Sequence, residues 1–168
     1  MHRPDPLPHL HALALALRAE AFPEAVPEAG FVALQRGLEA AFGCRLFTVM
    51  AHDPVRGWNR RVFTSNAALW PLGGGKPNAE RPWAQHVVDA GLPWTGSGAE
   101  AMRWAYPDHD LIMRQGLGCG LNLPVRFAGR TLGVLNLLHA EGWYSAADFE
   151  PGLVFAGLAV PLLQAVQA

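Results

Sequence analysis

The sequence predicts an α+β domain in which helices at both ends of the chain flank a central antiparallel sheet. Three observations predict this class. Apolar residues recur at helical spacing in the first quarter of the chain, and an apolar helical run follows residue 145. Short β-prone runs separated by turn residues fill the middle. Long glycine- and proline-containing segments connect these runs, as expected for crossovers in a layered domain.

Composition limits both the domain count and the classes of partner. The chain has 168 residues, of which 51% are hydrophobic, enough for one sizeable core and too few for two. Its net charge of -1 provides no basic field for nucleic acid. The apolar stretches at residues 10–17 and 153–166 are interrupted and shorter than the roughly 20 residues of a membrane span. We therefore expect a cytoplasmic protein with neither a nucleic-acid nor a membrane partner.

Two helices are predicted at the N-terminal end, within residues 9–42. Residues 9–20 are rich in leucine and alanine, and a second helix at 31–42 repeats large apolar residues every three or four positions. A proline-containing turn separates the two helices, and Gly43 ends the second.

The sheet and its crossovers are predicted within residues 44–139. An antiparallel hairpin joins residues 45–50 to 60–65, and the loop that follows extends to Pro82. The glycine run at residues 73–75 lacks the spacing of a phosphate-binding loop and is interpreted as a mobile lid. The pattern beyond this loop predicts a short helix at 83–90, a brief extended segment at 91–94, an irregular stretch to about 107 and a helix at 108–115.

The clearest hairpin joins residues 117–127 to 131–139 around Ala128 and Gly129. Asn122 and Asn136 interrupt its two apolar strands. A strict two-residue loop would place Asn122 opposite Leu135, with the two amides on opposite faces, whereas a longer loop or a bulge would place the asparagines opposite each other. We favour the second arrangement because one shared polar patch is easier to satisfy with hydrogen bonds than two isolated amides.

The final helix is predicted at residues 145–167. Ser145 and Asp148 have the spacing of a capping box, with aspartate in place of the usual glutamate. Pro151 is harmless in the first turn, whereas Pro161 should kink the last part of the helix.

The C-terminal half contains a recognisable series of features. A small residue leads into an apolar strand with a proline (118–125, GCGLNLPV), a glycine turn follows at 129, and a second strand has an early glycine (132–135, LGVL). An aromatic-Ser-x-x-Asp sequence then begins the last helix at 144–148. This series resembles the C-terminal half of GAF domains. The resemblance implies a single GAF-like domain over residues 1–168, with a six-stranded antiparallel sheet, a pocket on one face closed by the crossovers, and terminal helices on the other face that often pair two subunits.

The crossovers concentrate tryptophans and charged groups, which is the composition of a small-ligand pocket. Together with the strand asparagines they provide the predicted ligand-binding residues: Trp70, Lys76, Trp83, Trp94, His109, Asp110, Arg114, Asn122 and Asn136. For any one tryptophan the alternative is simple packing beneath the loops. His109 and Asp110 are adjacent and do not face each other on a helix, so a capped helix start with a solvent-facing histidine is the favoured interpretation of that pair.

The favoured function is a binding module, because no motif is strong enough to identify an enzyme. Its pocket would take a small polar, aromatic or anionic metabolite, with Lys76 or Arg114 as counter-charge. No output domain is recognisable, so such a sensor would act through a signalling partner protein or as a homodimer.

Two alternatives remain open. Stand-alone proteins of this fold include free methionine-(R)-sulfoxide reductases, but Cys44 and Cys119 depart from the cysteine positions of that family, and a thiol relay needs two cysteines within reach of each other. We expect both to be free thiols, with Cys119 structural, and no metal site, because metal-ligand spacing is absent. No cofactor is evident; a haem-binding module would need a histidine in the pocket, for which His86 and His109 are the candidates.

Overall fold

The computed structural model of the chain describes residues 4–18, 28–77 and 81–167, without the side chains of Arg18 and Lys76. Helix α1 spans Leu7–Arg18 and α2 spans Glu28–Phe42. The predicted proline-containing turn between these helices lies outside the described residues. Gly43 follows α2 with a φ of 72°, the left-handed conformation that glycine adopts after a helix end.

Five strands of four to ten residues form an antiparallel sheet, and the three-residue strand β3 extends it at one edge. The strands are β1 (Leu46–Asp53), β2 (Trp58–Thr64), β3 (Gly75–Pro77), β4 (Trp94–Ser97), β5 (Cys119–Phe127) and β6 (Arg130–His139). Their order across the sheet is β3-β2-β1-β6-β5-β4. The predicted antiparallel α+β class is therefore confirmed, while only the short β3 fills the sixth position of the predicted sheet.

The crossovers contain more regular structure than their composition predicts. Between β3 and β4 the chain forms α3 (Pro82–Ala84), which continues as a π-helical turn at Gln85–Asp89. Helix α4 (Gly98–Ala105) occupies most of the stretch predicted as irregular, and α5 (His109–Arg114) follows it. Helix α4 was not predicted because its eight residues provide only about two turns of helical periodicity.

The glycine run at residues 73–75 pairs with the sheet, so its interpretation as a lid is wrong. The Arg61 N–H donates to the Gly74 carbonyl at 2.8 Å, and the Gly73 N–H donates to the Arg61 carbonyl at 3.0 Å. Gly75 begins β3 opposite Arg60. Glycine suits this position because a Cβ there would overlap the Trp58 indole.

The β5–β6 hairpin brings the two strand asparagines opposite each other, which confirms the favoured register. Ala128 and Gly129 form a two-residue loop with φ values of 49° and 77°. A bulge at Val125/Arg126 then shifts the pairing by one residue. As a result Asn122 pairs with Asn136 instead of Leu135.

The C-terminal helices follow the predicted signals closely. The Ser145–Asp148 capping box is present, with the Ser145 N–H donating to the Asp148 carboxylate at 2.8 Å. Helix α6 (Phe149–Leu158) and helix α7 (Val160–Gln167) meet at a bend of 47°, and Pro161 lies in the first turn of α7. Within the described residues no single helix is long and apolar enough to cross a bilayer, although this bent pair meets the criterion by length and composition.

Two apolar clusters occupy opposite faces of the sheet. The cluster under α1, α2, α6 and α7 takes Phe47 and Val49 from β1, and the cluster under the crossovers takes Leu46 from the same strand. Successive strand residues point to opposite faces, so the two central strands, β1 and β6, contribute to both clusters. The terminal helices therefore pack on the face away from the crossovers, as predicted.

The glycine of the second hairpin strand has a clear physical role. A Cβ at Gly133 would overlap the backbone carbonyl of Met50 on β1 and contact Leu163 of α7. We expect Gly133→Ala to lower the free energy of unfolding by about 1–3 kcal/mol, as is typical of overpacking. Gly157→Ala is the matched control, because a Cβ in α6 meets open space there, and it should raise stability by up to about 0.5 kcal/mol. Urea unfolding of both variants measures the difference, and equal effects would contradict this role for Gly133.

Candidate functional site

A cavity lies between the sheet and the crossovers, the location that the sequence predicts. Its volume is about 40 Å³, space for about three water molecules at ~15 Å³ each. Strands β1, β2 and β6 form its floor, and helices α3, α4 and α5 with the adjoining loops cover it. The lining residues are Leu46, Thr48, Met50, Asn59, Arg61, Trp70, Pro77, Arg81, Trp83, Ala84, Ala105, Tyr106, Asp108, Ile112, Asn136 and Leu138.

A bulge between β1 and β2 directs Arg61 into this cavity. Val49 pairs with Phe63, but the next residue, Met50, pairs with Arg61, so the pairing skips Val62. Because of that skip Phe63 faces the terminal helices with Val49, while Arg61 faces the crossovers with Met50. Without the bulge the two residues would share one face.

The guanidinium of Arg61 is buried without a full set of acceptors. The residue is 9% exposed. Its Nη1 donates to the Pro71 carbonyl at 3.2 Å, but its buried Nε has no acceptor among the described residues. A buried donor without a partner carries a desolvation cost, so Nε is a candidate position for an acceptor that the described residues do not supply.

Arg81 and Asp108 complete the charged side of the cavity. Arg81 donates from Nη2 to the Ala105 carbonyl at 3.4 Å, and Asp108 accepts from the Trp70 indole at 3.1 Å. Burial lowers the pKa of both Arg61 and Arg81, and the negative charge of Asp108 opposes this shift. Among the described lining residues, two guanidinium groups against one carboxylate leave a surplus of one positive charge.

An amide network forms the wall next to these charges. Asn122 is fully buried, and its Nδ2 donates to the Tyr106 hydroxyl at 2.7 Å and to the Asn136 side-chain oxygen at 2.9 Å. The Trp83 indole donates to the Asn122 oxygen at 2.8 Å. The Asn136 amide donates onward to the Thr48 hydroxyl at 3.2 Å. Burial raises the pKa of Tyr106, which keeps its hydroxyl protonated within the network.

The structure places only some of the predicted ligand-binding residues at the cavity. Trp70, Trp83 and Asn136 line the cavity, and Asn122 lies behind them with both amide hydrogens already donated. The lining does not include Trp94, on the outer strand β4, which stacks on Trp104 at a ring separation of 5.6 Å. The side chain of Lys76 is outside the described part of the chain, so its predicted role as counter-charge stays a prediction.

The residues predicted on α5 do not line the cavity. Asp110 and Arg114 are exposed, and His109 is hydrogen-bonded to the Tyr106 carbonyl at 3.1 Å and lies 3.4 Å from Asp110. Their placement in the cavity was wrong because α5 turns Ile112 inward, which rotates these side chains away. A helix does begin here, but the favoured interpretation of a capped start with a solvent-facing histidine is only partly correct, because the Asp108 side chain forms no cap hydrogen bond and His109 is half-buried.

Sequence reasoning missed Arg61 and Arg81, the two cations that the structure brings to the cavity. Asn59 and Arg61 are polar residues two positions apart on a strand, a spacing that indicates a polar inner face. That signal was available, but an arginine in a short hairpin strand is most often solvent-exposed. The bulge that turns Arg61 inward leaves no mark in the sequence.

The histidines and thiols considered for chemistry lie outside the cavity lining. The His86 ring is 3.1 Å from the Pro93 carbonyl and packs edge-on against Trp104. Cys119 is fully buried on the helix-facing side of β5, with its sulfur 3.3 Å from the Tyr144 nitrogen. Burial raises the pKa of Cys44 to about 12. Among the described residues no cluster of three or more side chains could hold a metal ion.

Comparison with known proteins gives a consistent result for the fold. No family profile and no curated protein sequence matches the chain. The structure is similar to the GAF domain of a phosphoenolpyruvate-protein phosphotransferase from Coxiella burnetii, with a TM-score of 0.73, 18% identity, and coverage of 96% of this chain and 92% of that chain.

Two further similarities come from proteins with different activities. The phycoerythrobilin-bound GAF domain of a cyanobacterial phytochrome aligns with a TM-score of 0.68 and 14% identity over 99% of this chain and 98% of that chain. Free methionine-R-sulfoxide reductase from Neisseria meningitidis, in complex with its substrate, aligns with a TM-score of 0.66 and 15% identity over 99% and 96%. At these identities the similarity establishes the fold and leaves the activity open. The chain has a GAF-like fold.

Proposed function

We propose that this chain is a cytoplasmic sensory domain that binds a small molecule in the cavity between the sheet and the crossovers. The observation that carries the proposal is the unpaired buried Nε of Arg61, a residue that lines a cavity with one polar and one apolar side. Such a combination is typical of sites that orient a small ligand with a few polar groups. Similar folds bind chromophores and substrates in other proteins, which supports a binding role without identifying the ligand.

Blocking the cavity tests this proposal directly. Ala105 lines the cavity at the end of α4 and is 2% exposed, whereas Ala99 is exposed in the first turn of the same helix. We expect Ala105→Leu to fill the space and abolish binding, and Ala99→Leu to leave it unchanged. Native mass spectrometry of gently purified protein should show a bound small molecule in the wild type and the Ala99→Leu variant only.

The same variants serve as controls in a thermal-shift screen of small metabolites. A compound that raises the melting temperature of wild-type protein should fail to do so with the Ala105→Leu variant. Retention of a ligand by that variant, with its circular dichroism spectrum unchanged, would place the binding site elsewhere. Absence of any ligand in both assays would count against the sensory role itself.

We further propose that the terminal helices form a homodimer through which the domain signals to a partner protein. Several leucines of the terminal helices pack within the chain and are not available to a partner: Leu13 and Leu162 are buried, and Leu10, Leu17 and Leu158 are half-buried against the core. The apolar surface that remains on α1 and α6 is formed by Leu7, Leu15, Leu153 and Val154.

Light scattering of the protein and of variants in these helices tests the dimer. Leu15 is 52% exposed on α1, and Leu15→Asp should convert the dimer to a monomer at high micromolar concentration. Val55→Asp is the matched control, because Val55 is 95% exposed in the β1–β2 turn, away from the terminal helices. A wild-type protein that is monomeric at high micromolar concentration would contradict the proposal.

A thiol-dependent reductase is the competing function, and thiol reactivity distinguishes it. A pKa of about 12 leaves Cys44 almost entirely protonated at neutral pH, and Cys119 is fully buried. We expect both thiols of the folded protein to react with Ellman's reagent far more slowly than after unfolding in guanidinium. Labelling of Cys44 should accelerate as the pH rises, because deprotonation is favoured only toward pH 12. Rapid labelling of a folded thiol at pH 7 would support the reductase.

A further inference from the structure

The charged residues on one side of the cavity indicate the chemical class of the ligand. This inference rests on the proposed binding function and extends it. The Arg61 side chain is held in place: its strand is paired with Gly73 and Gly74, and its Nη1 is hydrogen-bonded to the Pro71 carbonyl. A Cβ at Gly74 would lie 3.2 Å from Nη1, so the glycine leaves space for the guanidinium. The group is therefore positioned before any ligand arrives.

The unpaired Nε of Arg61 indicates the geometry of an acceptor that would pair with it. Nε of Arg61 belongs to the edge of the guanidinium that pairs in two parallel hydrogen bonds with a planar carboxylate. A neutral acceptor such as an amide oxygen would satisfy Nε but would leave the buried charge uncompensated. An anionic partner satisfies both the hydrogen bond and the charge.

The net charge of the lining limits the charge of that anion. Arg61 and Arg81 contribute two positive charges, and Asp108 lies close enough to oppose the effect of burial on both. One surplus positive charge matches a monoanion. A doubly charged anion such as hydrogen phosphate would leave a negative charge beside the Asp108 carboxylate, which low-dielectric surroundings make costly.

The rest of the cavity limits the body of the ligand. Leu46, Met50, Ile112 and Leu138 form an apolar side, and the free volume is only about 40 Å³. A carboxylate of about two or three carbon atoms is the largest that this space accepts, whereas a nucleotide or a tetrapyrrole would require the crossovers to separate from the sheet. We propose that the cavity binds a short-chain carboxylate, with its carboxylate on Arg61 and its hydrocarbon body against the apolar side.

Isosteric pairs of probes test the proposal on the wild-type protein. Formate, acetate and propionate should bind in isothermal titration calorimetry, and formamide, acetamide and propionamide should bind at least about tenfold more weakly, because they lack the charge. The indole N–H resonance of Trp83 reports occupancy in NMR spectra, since Trp83 lines the cavity. Inorganic phosphate at the same concentrations should give no comparable shift.

Two substitutions on one strand identify the partner of the carboxylate. Arg61→Gln should weaken binding of the carboxylates about 10- to 100-fold. Arg61→Lys should weaken it less, because the lysine ammonium keeps the positive charge although it cannot form the two parallel hydrogen bonds of a guanidinium. Arg60→Gln is the matched control, because Arg60 is the exposed neighbour of Arg61 on β2, and it should bind as the wild type does. Circular dichroism confirms that each variant is folded.

Each contrary result has a distinct meaning. Equal binding of a carboxylate and its amide, or tighter binding of phosphate, would overturn the carboxylate assignment while the binding function stands. Undiminished binding by a folded Arg61→Gln variant would also overturn the assignment. If no carboxylate binds at millimolar concentration but native mass spectrometry detects another ligand, the carboxylate assignment is overturned and the proposed binding function stands. If that measurement detects none, the failure would overturn the proposed function as well.

Discussion

The buried side-chain amide of Asn122 connects the crossovers to the sheet. It is hydrogen-bonded to Trp83 from α3, to Tyr106 from the segment after α4, and to Asn136 on β6, which extends the network to Thr48 on β1. Polar groups in such a network are costly to leave unpaired, so each bond constrains the others. The cavity has a defined shape because segments distant in the sequence meet at this one amide.

Local signals that agree with one another made most of the fold predictable. The capping box at Ser145, the proline in the last helix and the paired asparagines are short-range patterns, and each predicted its local structure correctly. The placement of the pocket between sheet and crossovers followed instead from the resemblance to GAF domains and from the tryptophans and charged groups of the crossovers. The charged residues of the site were less predictable, since Arg61 faces inward only because the strand pairing skips Val62. A bulge of this kind depends on tertiary packing and not on local composition.

The two faces of the sheet also separate two kinds of chemistry. Cys119 lies on the helix-facing side, in the apolar cluster, while the charged and amide groups lie on the crossover side. A thiol with that orientation cannot reach a ligand in the cavity without rearrangement of β5. In the proposed function Arg61 and Arg81 hold a ligand, and this requires no covalent bond to be broken. This separation is the main structural reason to favour a receptor over a reductase.

Strand β1 lies near the centre of the sheet and has no freedom to move on one side alone. Leu46, Thr48 and Met50 line the cavity, while Phe47 and Val49 between them are completely buried against the terminal helices. Close-packed side chains transmit small displacements because little empty space is available to absorb them. An occupant that displaces Leu46, Thr48 and Met50 must therefore also shift Phe47 and Val49. Strand β1 therefore connects a displacement of side chains in the cavity directly to the core beneath the terminal helices.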